Sequence, residues 1–447
     1  MPPAALFAGS FGVAVAAGTI LLSLPFAHAA APVVPLDALF TTVSAVCVTG
    51  LTVVDTGSRF SPAGQAVILT LIQVGGLGIM TFAVFVGVVL GRKVAFTDRM
   101  VIQDSMHHTP RAGVRRLVRY VLAFSLAVEA TGAALLWIRF RGQFAAGEAV
   151  WQSVFHSVSA FCNAGFSLLP DNLVRYRGDL LVNLAITGLI VVGGLGFLVN
   201  MELRDAARAR LRGARPVFTL HAKLALLMAA ALLALGTVAF LVLEWDNVLR
   251  GLPLGERLLA SWFQSVTPRT AGFNTIDYGL VSPDTLFFTI FLMFVGASPG
   301  STGGGIKTTT FGLLLALVVA RWRGRGRATV FHRTIPHAVM DRALTIALLA
   351  WALVSLGVGL LVFTETHGRP FGVAEPRFLA LMFEAVSAFG TVGLSTGITP
   401  SLTASGKLVL AALMFVGRVG PLTLVLAVGP RQERGRFRYA EENVMVG

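Results

Sequence analysis

The chain has 447 residues, of which 55% are hydrophobic and only 13% charged, about half the charged share of an ordinary soluble domain. That balance excludes a water-facing globular fold and points to a lipid bilayer. A net charge of +14 raises the question of nucleic acid, but the basic residues gather in blocks behind every second apolar run, the pattern of cytoplasmic loops and not of a nucleic-acid face.

Eight apolar runs, each roughly 20 residues long and so able to cross hydrocarbon, begin near Ala4, Ser61, Leu117, Asp179, Lys223, Asp284, Arg342 and Ser405. The first ends in Ala27-His28-Ala29, which imitates a signal-peptide cleavage site; without a basic leading region it reads as a retained span. A short amphipathic stretch follows and ends at Val48-Thr49-Gly50-Leu51-Thr52. Behind the second run stand Arg92, Lys93, Arg99, Arg111, Arg115, Arg116 and Arg119. The third and fourth runs enclose Asn163-Ala164-Gly165-Phe166-Ser167 and are followed by Arg204, Arg208, Arg210, Arg212, Arg215 and Lys223. The fifth and sixth enclose Thr270-Ala271-Gly272-Phe273-Asn274 and precede Arg321, Arg323, Arg325, Arg327, Arg333 and Arg342. The last two enclose Thr391-Val392-Gly393-Leu394-Ser395, and Arg431, Arg434, Arg436 and Arg438 lie in the tail. By the positive-inside rule the basic segments and both termini are expected in the cytoplasm. Cys47 and Cys162, the only cysteines, define neither a disulfide framework nor a metal cluster.

The four glycine segments share more than a pentapeptide. Ten residues before each glycine stands an aromatic, Phe40, Phe155, Trp262 or Phe383, and six before it Ser44, Ser159, Val266 or Ser387. A Val-Gly pair returns 24 to 28 residues later, at Val74-Gly75, Val192-Gly193, Val295-Gly296 and Val416-Gly417. Four copies in register mark a repeated unit: a span, a short helix, a glycine segment and a second span. The predicted fold is an all-α membrane protein of eight transmembrane helices, in four helix-pore loop-helix repeats around a central pore. The expected boundaries are 1–95, 96–215, 216–330 and 331–447.

Short helices of this length cannot cross hydrocarbon, so they enter and leave on the outer side. Non-helical backbone at such depth persists only where it lines water or is buried in protein. A dehydrated K⁺ needs oxygen ligands, and main-chain carbonyls supply them without adding fixed charge. Glycine permits the backbone angles that turn carbonyls inward, and the short helices aim their negative dipole ends at the same place. Leu51, Phe166, Phe273 and Leu394 would wedge each segment against protein. Glu129, Glu384 and His156 are expected to pair with neighbours, and Asp55 and Asp277 would draw cations to the outer mouth.

The sixth run is broken at Gly296-Ala297-Ser298-Pro299-Gly300-Ser301-Thr302-Gly303-Gly304-Gly305-Ile306-Lys307-Thr308-Thr309-Thr310. Five glycines and a proline make a loop in mid-membrane, and a lysine there costs about 2.5 to 3.5 kcal/mol on insertion scales. Such a cost implies a function. It is not a nucleotide-binding P-loop, because Ile306 separates Gly305 from Lys307 and no hydrophilic domain accompanies it. Lys307 and Arg418 are the only basic residues within the predicted spans.

With these motifs the chain resembles, over nearly its whole length, the Trk/Ktr/HKT superfamily of K⁺ transporters, and within it the Ktr-type membrane subunit. The resemblance implies a K⁺ selectivity filter with one glycine per repeat, in Val48, Thr49, Gly50, Asn163, Ala164, Gly165, Thr270, Ala271, Gly272, Thr391, Val392 and Gly393. It also implies a gate in the intramembrane loop, in Gly300, Ser301, Thr302, Gly303, Gly304, Gly305 and Lys307, with Arg418 beside it. Glycine at all four filter positions goes with K⁺ preference in that family, whereas serine in the first marks many Na⁺-transporting relatives. The absence of extra leading helices favours the Ktr type over the Trk type. K⁺ is then the transported ion, no cofactor is held by the chain, and the expected assembly is a homodimer in the cell membrane. A cytoplasmic ring of nucleotide-binding regulatory subunits with Rossmann-like domains completes it. The alternatives are a Na⁺-dependent or Na⁺-conducting transporter of the same fold, and an ion-coupled secondary transporter.

Overall fold

The computed structural model describes residues 3–29, 31–89, 110–367 and 370–420. Within them the apolar runs become helices whose starts are written locally. Pro at the first turn opens α2 (Pro35–Val46) and α11 (Pro283–Phe294). Side-chain oxygens of Asp179, Thr219 and Thr403 cap α7 (Leu180–Leu195), α9 (Leu220–Leu243) and α15 (Ala404–Val419). The remaining helices are α1 (Pro3–Ser23), α3 (Thr56–Arg59), α4 (Pro62–Val89), α5 (Pro110–Phe140), α6 (Ala146–Phe161), α8 (Phe197–Leu211), α10 (Leu254–Val266), α12 (Thr308–Trp322), α13 (His337–Thr366) and α14 (Phe371–Gly390). A two-stranded antiparallel hairpin, Thr329–Val330 with Arg333–Thr334, joins α12 to α13.

Along this order α2, α6, α10 and α14 each end at a glycine segment and are followed by further helices. α1, α5 and α9 each receive the next two helices at a glycine, and α13 receives α15 at one. A Cβ on Gly132 would lie 2.5 Å from Ser157 Oγ of α6 and 2.6 Å from Leu189 Cδ1 of α7. Gly18 meets Thr42 and Leu71 in the same way, Gly236 meets Ser265 and Leu292, and Gly357 meets Leu413. Small residues let helices approach closely enough in a membrane for dispersion and hydrogen bonds to hold them.

Buried carboxylates tie helix ends together. Glu244 Oε1 accepts from Ser282 N and Oγ, both at 2.8 Å, and Glu365 Oε1 accepts from Thr403 N at 3.0 Å and Oγ1 at 2.6 Å. In the second unit an ion pair between Arg139 and Asp179 does the same work. The first and last units meet where Lys407 Nζ of α15 lies 2.9 Å from Asp37 Oδ1 of α2, both side chains largely buried.

Val118–Phe140, Leu220–Leu243 and His337–Thr366 are long and apolar enough to cross a membrane, and shorter apolar helices accompany them. Outward residues such as Val242, Trp351 and Phe363 are 67%, 65% and 61% exposed. Hydrocarbon, not water, stabilises such a surface. The run beginning at Asp179 is not one straight span: α7 and α8 are bent by 106°. The break is at Gly196, φ +84, where a Cβ would meet the Pro299 carbonyl oxygen at 2.5 Å, so the loop of the third unit occupies the space a straight helix would need. Arg92, Lys93, Arg99, Arg431, Arg434, Arg436 and Arg438, and the expected 95/96 unit boundary, lie outside the described residues.

Candidate ion pathway

α2, α6, α10 and α14 all run into a glycine segment at their C-terminal ends. Each segment uses the same unusual backbone. Val48, Asn163, Thr270 and Thr391 have φ of 55°, 59°, 68° and 50°, and two residues later Gly50, Gly165, Gly272 and Gly393 have 94°, 69°, 78° and 91°. Left-handed angles at alternate residues turn successive carbonyls to one side of the segment, a conformation a chain of L-residues adopts only when its surroundings hold it.

The four segments face one another in turn. A Cβ on Gly50 would strike the Ala164 carbonyl oxygen and lie 3.1 Å from Gly165 Cα. One on Gly165 would lie 2.7 Å from the Ala271 oxygen, and one on Gly272 would lie 2.5 Å from the Val392 oxygen. One on Gly393 would strike the Thr49 oxygen and lie 3.0 Å from Gly50 Cα. The series closes on itself. Four main-chain oxygens, of Thr49, Ala164, Ala271 and Val392, therefore gather at a centre from which side chains are excluded.

The conformation is braced from behind. Thr49 N, Ala164 N and Val392 N donate to the carbonyls of Ser44, Ser159 and Ser387 at 2.8, 2.7 and 2.8 Å. Ser44 Oγ accepts from Gly50 N at 3.0 Å, Ser387 Oγ accepts from Gly393 N at 3.1 Å, and Ser159 Oγ donates to the Phe166 carbonyl at 2.8 Å. In the third segment the brace is Thr267, not the Val266 that alignment puts opposite the serines: its Oγ1 donates to the Phe273 carbonyl at 2.5 Å. α10 gives way to a turn through Pro268, which shifts the register by one residue. Leu51, Phe166, Phe273 and Leu394 are all buried, as a wedge requires.

Further anchors come from the middle of the short helices. His156 Nε2 lies 3.0 Å from Ser167 Oγ, and Glu384 accepts from Ser395 Oγ at 2.6 Å, Thr396 N at 3.0 Å and Thr399 Oγ1 at 2.7 Å. Glu129 accepts from Gln73 Nε2 at 2.9 and 3.0 Å. Asp55 and Asp277 serve local turns, accepting from Ser58 N at 2.7 Å and from Gly279 N at 2.8 Å.

The glycine-rich loop lies directly beneath the segments. It leaves α11 and re-enters α12 through a bridge between Val295 and Ile306, with Gly296 N donating to the Ile306 carbonyl at 2.8 Å. Thr302 Oγ1 donates to the Phe161 carbonyl at the end of α6 at 3.3 Å, and Gly304 N donates to Thr391 Oγ1 at 3.1 Å. A Cβ on Gly303 would collide with Thr270 Oγ1 and one on Gly304 with Thr391 Oγ1. Its glycines thus allow contact with the ends of three segments. Gly300 carries φ +71 and its carbonyl accepts from Phe197 N at 3.1 Å, while Ser301 Oγ donates to the Ser298 carbonyl at 2.6 Å. Lys307 Nζ turns back onto the Gly303 carbonyl at 2.6 Å, and Gly305 packs 3.2 Å from Gly296 as a built Cβ would measure it.

Arg418 completes the arrangement. It is 3% exposed, donates Nη1 to the Thr302 carbonyl and Nη2 to the Gly75 carbonyl at 2.7 Å, and makes no ion pair among the described residues. Gly75 in turn lies against Val46 and Val48. One guanidinium therefore ties the loop to α4, whose Gly75 packs on the first segment, and no carboxylate among the described residues pairs with it. The Val-Gly pairs find their reason here too. Gly75, Gly193 and Gly417 press on the carbonyls of Val46, Phe161 and Phe389, whereas Gly296 meets Gly304, because the loop replaces that packing in the third unit.

The structure adds Arg269, 7% exposed just before the third segment, to Lys307 and Arg418; it donates to the Ala229 carbonyl at 3.4 Å. Its position outside every apolar run hid it from hydropathy.

Residues 10–435 match the family TrkH, described as cation transport protein. The chain is 42% identical to Ktr system potassium uptake protein B of Bacillus subtilis, covering 100% of this chain and 97% of that protein. It is 40% identical to potassium/sodium uptake protein NtpJ of Enterococcus hirae, covering 100% and 98%. Among solved structures, the potassium transporter TrkH of Vibrio parahaemolyticus superposes with a TM-score of 0.74 at 20% identity, over 95% of this chain and 84% of that one.

Proposed function

We propose, because the chain belongs to the TrkH family of cation transport proteins, that it is the membrane subunit of a Ktr-type K⁺ uptake system and carries K⁺ through a single gated pore. One observation carries this reading: four main-chain oxygens, of Thr49, Ala164, Ala271 and Val392, converge where glycine alone fits. Carbonyl dipoles around a dehydrated cation replace its hydration shell, and their negative ends exclude anions. The twelve residues 48–50, 163–165, 270–272 and 391–393 form the filter, with K⁺ as cargo. Gly300–Gly305 and Lys307 form the gate, and Arg418 holds it shut. Two positive groups beside the path repel a cation until the loop moves.

In this reading eight spans make up four repeats, at 1–95, 96–215, 216–330 and 331–447, with both termini in the cytoplasm of a cell-membrane protein. Two copies pair, and a cytoplasmic ring of nucleotide-binding subunits moves the gate. The name of the Enterococcus hirae relative, which pairs potassium with sodium, supports a second reading in which Na⁺ is also carried. Flux of K⁺, Rb⁺ and Na⁺ into proteoliposomes holding the purified chain decides between them. K⁺ and Rb⁺ entry well above Na⁺ entry supports the first reading; equal entry supports the second, and no flux of any cation even through a folded chain lacking residues 300 to 305 overturns both.

A further inference from the structure

Two confluent cavities open on the face between α5, α7 and α10. One, of about 520 Å³, is polar and is walled by Arg139, Arg175, Arg177, Asp179 and Glu256. The other, of about 570 Å³, is apolar and is walled by Leu180, Leu184, Leu258, Leu259 and Trp262. Gly178 and Glu256 belong to both. Gly178 is the passage between them, since a Cβ there would lie 3.0 Å from the Glu256 carboxyl.

The order of these walls follows the membrane normal. On the topology proposed above, Arg139 ends α5, Asp179 caps α7 and Glu256 stands in the first turn of α10, all at the outer rim. Leu184 and Trp262 lie one to two turns deeper on the same two helices, and Leu258 about half a turn below Glu256. A headgroup-sized polar chamber therefore sits above an apolar trough at acyl-chain depth.

The charges of the polar chamber are not all spoken for. Arg139 is paired with Asp179, and Arg175 lies 2.7 Å from Asp171. Arg177 and Glu256 form only a long ion pair, 3.8 Å between Nε and Oε2 and beyond hydrogen-bond reach, and the Arg177 Nε makes no hydrogen bond. One guanidinium and one carboxylate thus face the chamber with unused capacity. A purely anionic group would satisfy Arg177 and be repelled by Glu256. A zwitterion with a phosphate and a primary ammonium satisfies both, the phosphate accepting from Arg177 and the ammonium donating to Glu256. Trp262 is already committed, donating Nε1 to Thr187 Oγ1 at 3.3 Å, so its ring is left as apolar wall.

We infer that this face is a binding site for one outer-leaflet phospholipid with an amine-bearing zwitterionic headgroup, seated with its phosphate on Arg177, its ammonium on Glu256 and an acyl chain along Leu184 and Leu258. The inference rests on the proposed topology but not on the ion pathway, so it stands or falls without reference to K⁺ flux.

The test is native mass spectrometry of the purified full chain in detergent, titrated with phosphatidylethanolamine, phosphatidylcholine, phosphatidylglycerol or free phosphoethanolamine. Phosphatidylethanolamine should bind at least about tenfold more tightly than the other three. Arg177→Ala and Glu256→Gln should each remove that preference, and Leu258→Trp, which fills the trough and leaves the headgroup chamber intact, should weaken binding by about tenfold. Equal or tighter binding of phosphatidylglycerol overturns the zwitterionic assignment. Undiminished binding of phosphatidylethanolamine to Leu258→Trp, or binding of free phosphoethanolamine to the wild type as tight as that of phosphatidylethanolamine, overturns the lipid. A shift from dimer to monomer in Arg177→Ala, with no change in lipid adducts, would make the face a contact between copies and overturn the site.

Discussion

Replacing Gly272 by serine is the sharpest perturbation of the carbonyl ring. Its φ of +78 lies in the left-handed region, which costs an L-residue roughly 1 to 2 kcal/mol. The new Cβ would also sit 2.5 Å from the Val392 oxygen, 3.1 Å from Gly165 Cα and 3.2 Å from Gly393 Cα. Every one of these is backbone, so no flexible side chain can move aside. The strain is relieved by displacing the Val392 carbonyl, one of the four that gather at the centre. A loss of about 1.4 kcal/mol in discrimination corresponds to about tenfold in the K⁺ over Na⁺ ratio, and we expect a fall of that order with total cation flux retained. The assay is paired K⁺ and Na⁺ uptake in proteoliposomes at matched protein content, with wild type alongside. An unchanged ratio in well-folded Gly272→Ser would refute the assignment of the ring.

Deleting residues 300 to 305 should raise K⁺ flux in the absence of any regulatory subunit; equal or lower flux from an intact fold would sink the gate. Arg418→Gln removes the charge and weakens the bonds to Thr302 and Gly75, so flux should rise in the same direction, and a variant that conducts less than wild type counts against a barrier role. Lys407→Met leaves Asp37 largely buried without its cation, which should cost about 3 kcal/mol and lower the thermal midpoint in detergent. An unaltered midpoint would mean that this pair does not help close the ring of helices.

The glycine segments could be found by matching offsets because repetition is carried by local chemistry: a serine six residues back can reach its segment only through a short helix of fixed length. The same matching named Val266 where the molecule uses Thr267, since Pro268 changes how α10 ends and no offset records that. The glycines of the long helices, Gly18, Gly132, Gly236 and Gly357, stand 32, 33, 36 and 36 residues before Gly50, Gly165, Gly272 and Gly393, with no shared motif around them. Only three-dimensional contact reveals them as one set. Arg269 escaped for another reason: hydropathy measures runs, and a single cation flanked by Pro268 and Thr270 interrupts none.

Composition, basic blocks and periodicity by themselves determined that this is a helical membrane protein built on a recurring helix and glycine motif, because those properties follow from the local cost of exposing backbone and charge to hydrocarbon. Tertiary structure decided that α7 bends at Gly196 to admit the third unit's loop, that Arg418 bonds to Thr302 and Gly75, and that Gly393 returns to Thr49. Such contacts join residues from 103 to 344 positions apart. Their energies depend on distances between segments, which no stretch of chain encodes until all four have packed.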